Sequence, residues 1–287
     1  MRKFALCLSA GRWALPIAFC LFAATSCYSP RYVYSPAAHN VPVLVNKGDS
    51  KLAFNYSTNL AKRNQSDVQV KDNHGTGFDL QGAYAVSKNF ALQLNYYHRK
   101  EKNSGDFNAG NLDSSVINYT RNLTEIGFGY YRRLMRNDRG IFQVFAGVGF
   151  GRFGFTDIGR DQNGIFHNNF HDAHVTKLYV QPAFTIKNKN FAASLSSRFS
   201  LIFFGDIKTD YNSIELDKYK LDSLNSRPRL FWEPAIVNTF GFKKLPGLHL
   251  EFQVGLSLLE SKLFIDYRSF NFSAGVLFDV PKLLKRK

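Results

Sequence analysis

The 287-residue chain predicts an all-β fold, a closed, antiparallel, up-and-down transmembrane β-barrel of about ten strands over residues 50–281. Three observations predict it. From Ser50 onward, apolar and polar residues alternate with a period of two, the period of a strand. The polar phase is built mostly of Gly, Ala, Ser, Asn and Gln, as a crowded lumen requires, where a solvated sheet face would be rich in Lys, Glu and Thr. The connections are short and long in strict turn. Composition removes the competing classes. An apolar content of 45% excludes wholesale disorder. No uncharged apolar run reaches ~18 residues outside the N-terminus, which excludes a bundle of membrane helices.

Residues 1–26 read as a secretory signal peptide. Arg2, Lys3 and Arg12 form a basic start, Ala14 to Ala24 an apolar core, and small residues follow. A retained membrane anchor is the alternative. Cys7 and Cys20 leave with the signal, so Cys27 is a lone thiol with no disulfide partner. Residues 27–49 hold three prolines, Pro30, Pro36 and Pro42, and no periodicity. They read as an extended tether ahead of the fold.

The strands follow in order. Alternating runs lie near 51–60, 76–87, 90–99 and 122–133, and then at 142–151, where Phe142, Val144, Ala146, Val148 and Phe150 alternate with Gln143, Phe145 and three glycines. Further runs lie near 176–187, 191–204 and 229–242. The last two are the clearest. Leu248, Leu250, Phe252, Val254, Leu256 and Leu258 form one apolar stripe, and Phe270, Phe272, Ala274, Val276 and Phe278 the other. The Phe/Leu/Val stripe is expected to face lipid and the small polar stripe the lumen. Closure has a physical cause, because an unpaired backbone group in hydrocarbon costs several kcal/mol and only a closed sheet has no edge. Pro182 and Pro234 fall inside strands, where bulges are expected to absorb them. Gly147, Gly149 and Gly151 lie within a strand and read as close packing toward the lumen.

Short links fall at 88–89, 134–140, 188–190 and 243–247, and longer ones at 61–75, 100–121, 157–175, 205–228 and 259–267. The short links and the tail 282–287, with Arg132, Arg133 and Lys187 at the strand ends beside them, carry thirteen Lys and Arg against Asp138 alone, while the long connections are slightly acidic. This basic rim suits anionic phospholipid head groups, at ~1 kcal/mol per charge near such a surface. The high pI alone invites a nucleic-acid reading, but no recognition helix, RNA-binding motif or zinc spacing supports one, and no nucleic-acid partner is expected. Aromatics near strand ends are expected to form interfacial girdles. These are Phe90, Tyr130, Tyr131, Phe142 and Phe191 at the short-link end, and Tyr96, Tyr97, Phe153, Phe155, Phe203, Phe204, Phe231 and Trp232 at the other.

The quartet Ala24-Thr25-Ser26-Cys27 resembles a bacterial lipobox, with Ala where Leu is usual. With the strand pattern over about 50–280, the chain resembles the small outer-membrane β-barrel proteins of Gram-negative bacteria, in a lipoprotein version. Cys27-Tyr28-Ser29-Pro30 and Ala38-His39-Asn40-Val41-Pro42 are similar to segments of such barrel lipoproteins. The resemblance implies an acyl anchor on Cys27, residence in the outer membrane and both termini on the periplasmic side. Ordinary cleavage leaving a free thiol is the alternative at Cys27. Barrels of this group usually end on an aromatic residue, whereas Phe278 is followed by nine more residues.

Six charges fall in the lumen phase: Arg99, Glu125, Lys177, Arg198, Glu233 and Glu251. In a narrow barrel they are expected to pair as a structural plug. A gated path for ions or small solutes is the alternative. A lipid-modifying enzyme would need an activated serine near a histidine and a carboxylate. His98, His167, His171, His174, Asp172, Ser104, Ser114 and Ser115 are the available residues, without a nucleophile-elbow motif. His167, His171 and His174 with Asp161 and Asp172 form a metal alternative if their loop is helical. The expectation is a structural or interaction protein that presents its long loops, with no cofactor, no metal and no turnover.

Overall fold

The structure, a computed structural model, describes residues 31–60, 69–106, 114–134, 139–160, 164–260 and 265–281. The expected signal peptide, Cys27, Asp161 and the tail 282–287 lie outside the described residues.

The strands are β1 (Ser50–Leu60), β2 (Gln69–Ala85), β3 (Phe90–Asp106), β4 (Ser114–Arg133), β5 (Gly140–Arg160), β6 (Phe166–Lys187), β7 (Phe191–Thr209), β8 (Arg229–Phe242), β9 (Leu245–Leu256), the two-residue β10 (Leu258–Leu259) and β11 (Phe270–Phe278). A short helix, α1 (Ser213–Lys218), lies in the connection from β7 to β8. Each strand from β1 to β9 pairs antiparallel with the next, β9 pairs with β11, and β11 returns to β1 with Phe54 opposite Val276. The ring therefore closes with ten strands. β10 continues β9 along β8, with Leu258 opposite Trp232.

The two prolines sit where the ladder opens, and neither is absorbed by a bulge. The β6–β7 register is the same on both sides of Pro182, from Val180–Phe199 to Ala183–Ser196, with the two intervening pairs missing. Likewise Pro234 ends the β8–β9 ladder at Ala235–Gly255, and pairing resumes in the same register at β10. A missing N–H removes one rung without shifting the strand.

The alternation resolves into two faces. Leu250, Phe252 and Val254 point outward from β9, while Glu251, Gln253 and Gly255 are buried within. On β5 the outward apolar residues run from Phe142 to Phe150, which at ~3.3 Å per residue and ~40° tilt makes a band roughly 23 Å tall, the height of a hydrocarbon core. Beyond it the outward residues turn mostly polar, Arg152 and Thr156 on β5, Thr124 to Asn118 on β4, and His98 and Lys100 on β3, with Ile158 and Val116 as the apolar exceptions on β5 and β4. Strands β3 to β6 therefore continue well past the band. Most of residues 100–121 and 157–175, expected as loops, are strand. Their register stays unbroken, from Tyr130–Val144 to Ser114–Arg160 between β4 and β5.

The aromatic girdles are half as populated as expected. Neighbouring residues on a strand face opposite ways, so a pair of adjacent aromatics cannot share one face. Tyr96, Tyr130, Phe203 and Trp232 point out, while Tyr97, Tyr131, Phe204 and Phe231 are buried inside. Phe153 and Phe155 are also inside, in an aromatic cluster with Tyr119 and Phe204 that fills the long-connection end of the lumen.

Candidate functional site: the plugged lumen

The chain before β1 forms the core of the site. Residues 31–42 are all buried, as is Leu44. The segment is extended, as its prolines predict, but it is no external tether. It runs through the barrel along its axis. At the short-turn end Leu44 packs with Ala85, Ala91, Tyr131 and Phe145. Midway, Val41 meets Ala183 and Val237, and Ala37 clusters with Tyr97 and Leu123. At the far end Tyr32, Val33 and Tyr34 join the aromatic cluster. Along β5 the path climbs from Phe145, beside Leu44, to Asp157, paired with Arg31.

A buried extended strand must find partners for its own backbone. The lumen supplies them from side chains. The Gln81 amide donates to Ala38 O at 3.2 Å, Gln181 to Asn40 O at 2.8 Å and Asn59 to Pro36 O at 2.9 Å. His39 N donates to Gln253 Oε1 at 3.0 Å. Near the far end the segment borrows backbone instead. Val33 N donates to Asp266 O, Arg268 N donates to Tyr34 O, and Tyr34 forms a parallel bridge with Tyr267. The Asn and Gln of the polar stripe are thus matched to a peptide inside the barrel. The segment's own side chains bind the wall: Asn40 Nδ2 donates to Asn95 Oδ1 at 2.8 Å, and His39 Nδ1 lies 2.9 Å from Ser196 Oγ.

The six expected lumen charges all point inward and are buried. Four of them form one network. Lys177 lies 3.1 Å from Glu125 and 3.7 Å from Glu233, and Arg198 lies 3.7 Å from Glu125. The plug enters this network through Tyr34, whose hydroxyl donates to Glu233 Oε1 at 2.6 Å. The other two stand apart. Arg99 grips Asp79 with both carboxylate oxygens near 3 Å, and Glu251 accepts from Lys51 at 2.7 Å. Desolvated ions persist only when paired, and each buried carboxylate here has a cation. Gly129 and Gly147 leave room for the rings behind them. A side chain at Gly129 would collide with Phe145, and one at Gly147 with the Tyr179 hydroxyl.

Several lumen charges were not read from the sequence. Lys51 and Asp79 were in phase with Asn55 and Gln81 and were legible there. Glu101, Arg121 and Asp157 lie in stretches read as loops. Glu101 now sits between Arg121 at 3.2 Å and Arg268 at 2.6 Å. Asp157 is the latch of the plug. It pairs with Arg31 and accepts from Tyr211 at 2.6 Å. Burial pushes the pKa of the Tyr211 hydroxyl up, with Asp157 adding to the rise and Arg31 opposing it, so the phenol stays a donor. Tyr211 is held by the β7–β8 connection, where Asn212 and Glu215 cap α1 reciprocally at 3.0 and 2.9 Å.

The loop histidines do not converge. Their segment is strand, so residues four apart share a face but stand ~13 Å from each other. His171 faces the lumen and stacks on Phe155, while His174 faces out and pairs with Asp206 at 2.9 Å. Asp172 faces out to Arg152. His98 also faces out, against Asn122, and Ser104 and Ser115 are buried. Among the described residues, no group of three or more His, Cys, Asp or Glu could hold a metal ion.

No family model matches the chain, and no curated protein matches it by sequence. Solved structures do. It is similar to the translocator domain of the autotransporter NalP from Neisseria meningitidis, at 12% identity and a TM-score of 0.48 over 81% of this chain and 88% of that one. It is similar to the outer membrane protease OmpT from Escherichia coli, at 9% identity and a TM-score of 0.41 over 80% and 95%. It is also similar to the outer membrane protein OprG from Pseudomonas aeruginosa, at 11% and 0.36 over 82% and 97%.

Proposed function

We propose that this chain is a barrel of the Gram-negative outer membrane with a structural and interaction role, closed to flow and presenting its long connections outside the cell. One observation carries the reading. The lumen is filled along its length by residues 31–44 and by the side chains they bind. On this reading Cys27 carries the lipid that the lipobox-like quartet implies. The basic turns, with Lys88, Arg132, Arg139, Lys189 and Lys243, lie against anionic head groups on the periplasmic side. The test is single-channel recording of the pure protein in a planar bilayer. The intact chain is expected to stay silent over the full voltage range. Steady unitary currents from it would overturn the reading.

One feature of the plug favours the gated channel as a second reading. The plug is not a rung of the barrel ladder, and the bridge at Tyr34–Tyr267 is its one isolated sheet contact among the described residues. It can leave without opening the ring. A vestibule of about 550 Å³ also lies beneath Leu44 at the short-turn end, lined in part by Asn46, Lys51, Lys187 and His249. A partner pulling on the segment from that side would open the path. Current that appears only when such a pull is applied would favour this reading.

A further inference from the structure

The first and last strands both meet the short-turn end, since Ser50 opens β1 there and Phe278 closes β11 there. The chain ahead of Ser50 does not stay at that end. It climbs the lumen, and Arg31 pairs with Asp157 deep in the polar overhang of β5. Described residues 31 and 281 therefore lie at opposite ends of the barrel.

We infer that the barrel threads its own N-terminal segment through its lumen and across the membrane, so that Arg31 stands on the long-connection side, opposite the basic turns and residue 281. On the β8 side Tyr34 packs on Phe231 with ring centroids 4.2 Å apart, level with the end of that strand's outward apolar stripe at Leu230 and Trp232. The barrel thus holds the two ends of its described chain on opposite sides of the membrane.

The experiment is two-sided tagging of the full chain in a Gram-negative host. One epitope is inserted between Ser29 and Pro30 and a second is added after Lys287. Antibody is applied to intact cells and to cells with a permeabilised outer membrane. Threading predicts opposite sides, with the first tag stained at least ten-fold more strongly than the second on intact cells. Both tags on the same side would overturn it. Opposite sides with the second tag outward would keep the threading and reject the orientation under Proposed function. The path has its own check in the pair Asn40→Cys and Asn95→Cys. An intramolecular disulfide in the folded barrel supports the lumen route, and its absence from folded barrel overturns it.

Discussion

At the residue scale, the lumen couples charges that the membrane would otherwise reject. Glu125 is the clearest case, because it faces both Lys177 and Arg198 and is about 1% exposed. Glu125→Gln leaves two cations short of a counter-charge, and removing one partner of a buried pair costs roughly 3–5 kcal/mol. The prediction is a matching fall in the urea midpoint of the folded, heat-modifiable band on a gel. Adding Lys177→Met should recover much of the loss. Arg152→Ala is the control, since its pair with Asp172 is solvated, and the midpoint should not move. Gly129→Val pushes a side chain into Phe145, and overpacking of this kind costs roughly 1–3 kcal/mol. Arg99, Glu125, Lys177, Arg198, Glu233 and Glu251 were legible because strand phase alone assigns them inward. Their pairing was not, because it depends on register and on a plug that the phase does not reveal.

At the scale of elements, the strands showed themselves wherever lipid faces the wall. There one phase must be apolar and the other small and polar, so the period is strong. Above the band the outward apolar stripe is lost: on β3 both phases are polar, with Arg99 and Glu101 inward against Lys100 and Lys102 outward, and on β4 and β5 the pattern inverts, with Tyr119, Phe153 and Phe155 inward against Thr120, Arg152 and Thr156. That is why residues 100–121 and 157–175 read as loops. The segment 31–44 was hidden for the opposite reason. It is surrounded on all sides, so it has no two-faced pattern. Its one telling feature was the lack of any Lys, Arg, Asp or Glu from Tyr32 to Asn46, which suits a buried strand better than a solvated tether. The lipid stripe makes a direct prediction. Phe252→Lys places a charge on the outward face near mid-band, where such a change costs roughly 2–4 kcal/mol. Refolding into vesicles should show a loss of that size, while Gln253→Ser, on the lumen side of the same strand, should cost less.

At the scale of the whole molecule, the barrel and its first residues form one object. The ring alone leaves an open cylinder lined by Asn, Gln and ion pairs. The N-terminal segment closes it by meeting those amides with its own backbone and by burying Tyr32, Val33, Tyr34, Val41 and Leu44, each fully buried apolar side chain contributing roughly 1.5–3 kcal/mol. A chain lacking residues 31–44 is expected to keep the heat-modifiable band and gain conductance in a planar bilayer. A silent deletion form would show that wall side chains suffice to seal the lumen. The most direct measurement is nitroxide accessibility along residues 36–44 in the reconstituted barrel, with Phe252 as the lipid reference. The account predicts low collision rates there with both oxygen and a water-soluble nickel complex, and oxygen-dominated collisions at Phe252. Free access of the nickel complex to Ala38 and Val41 would place the segment in water and contradict it.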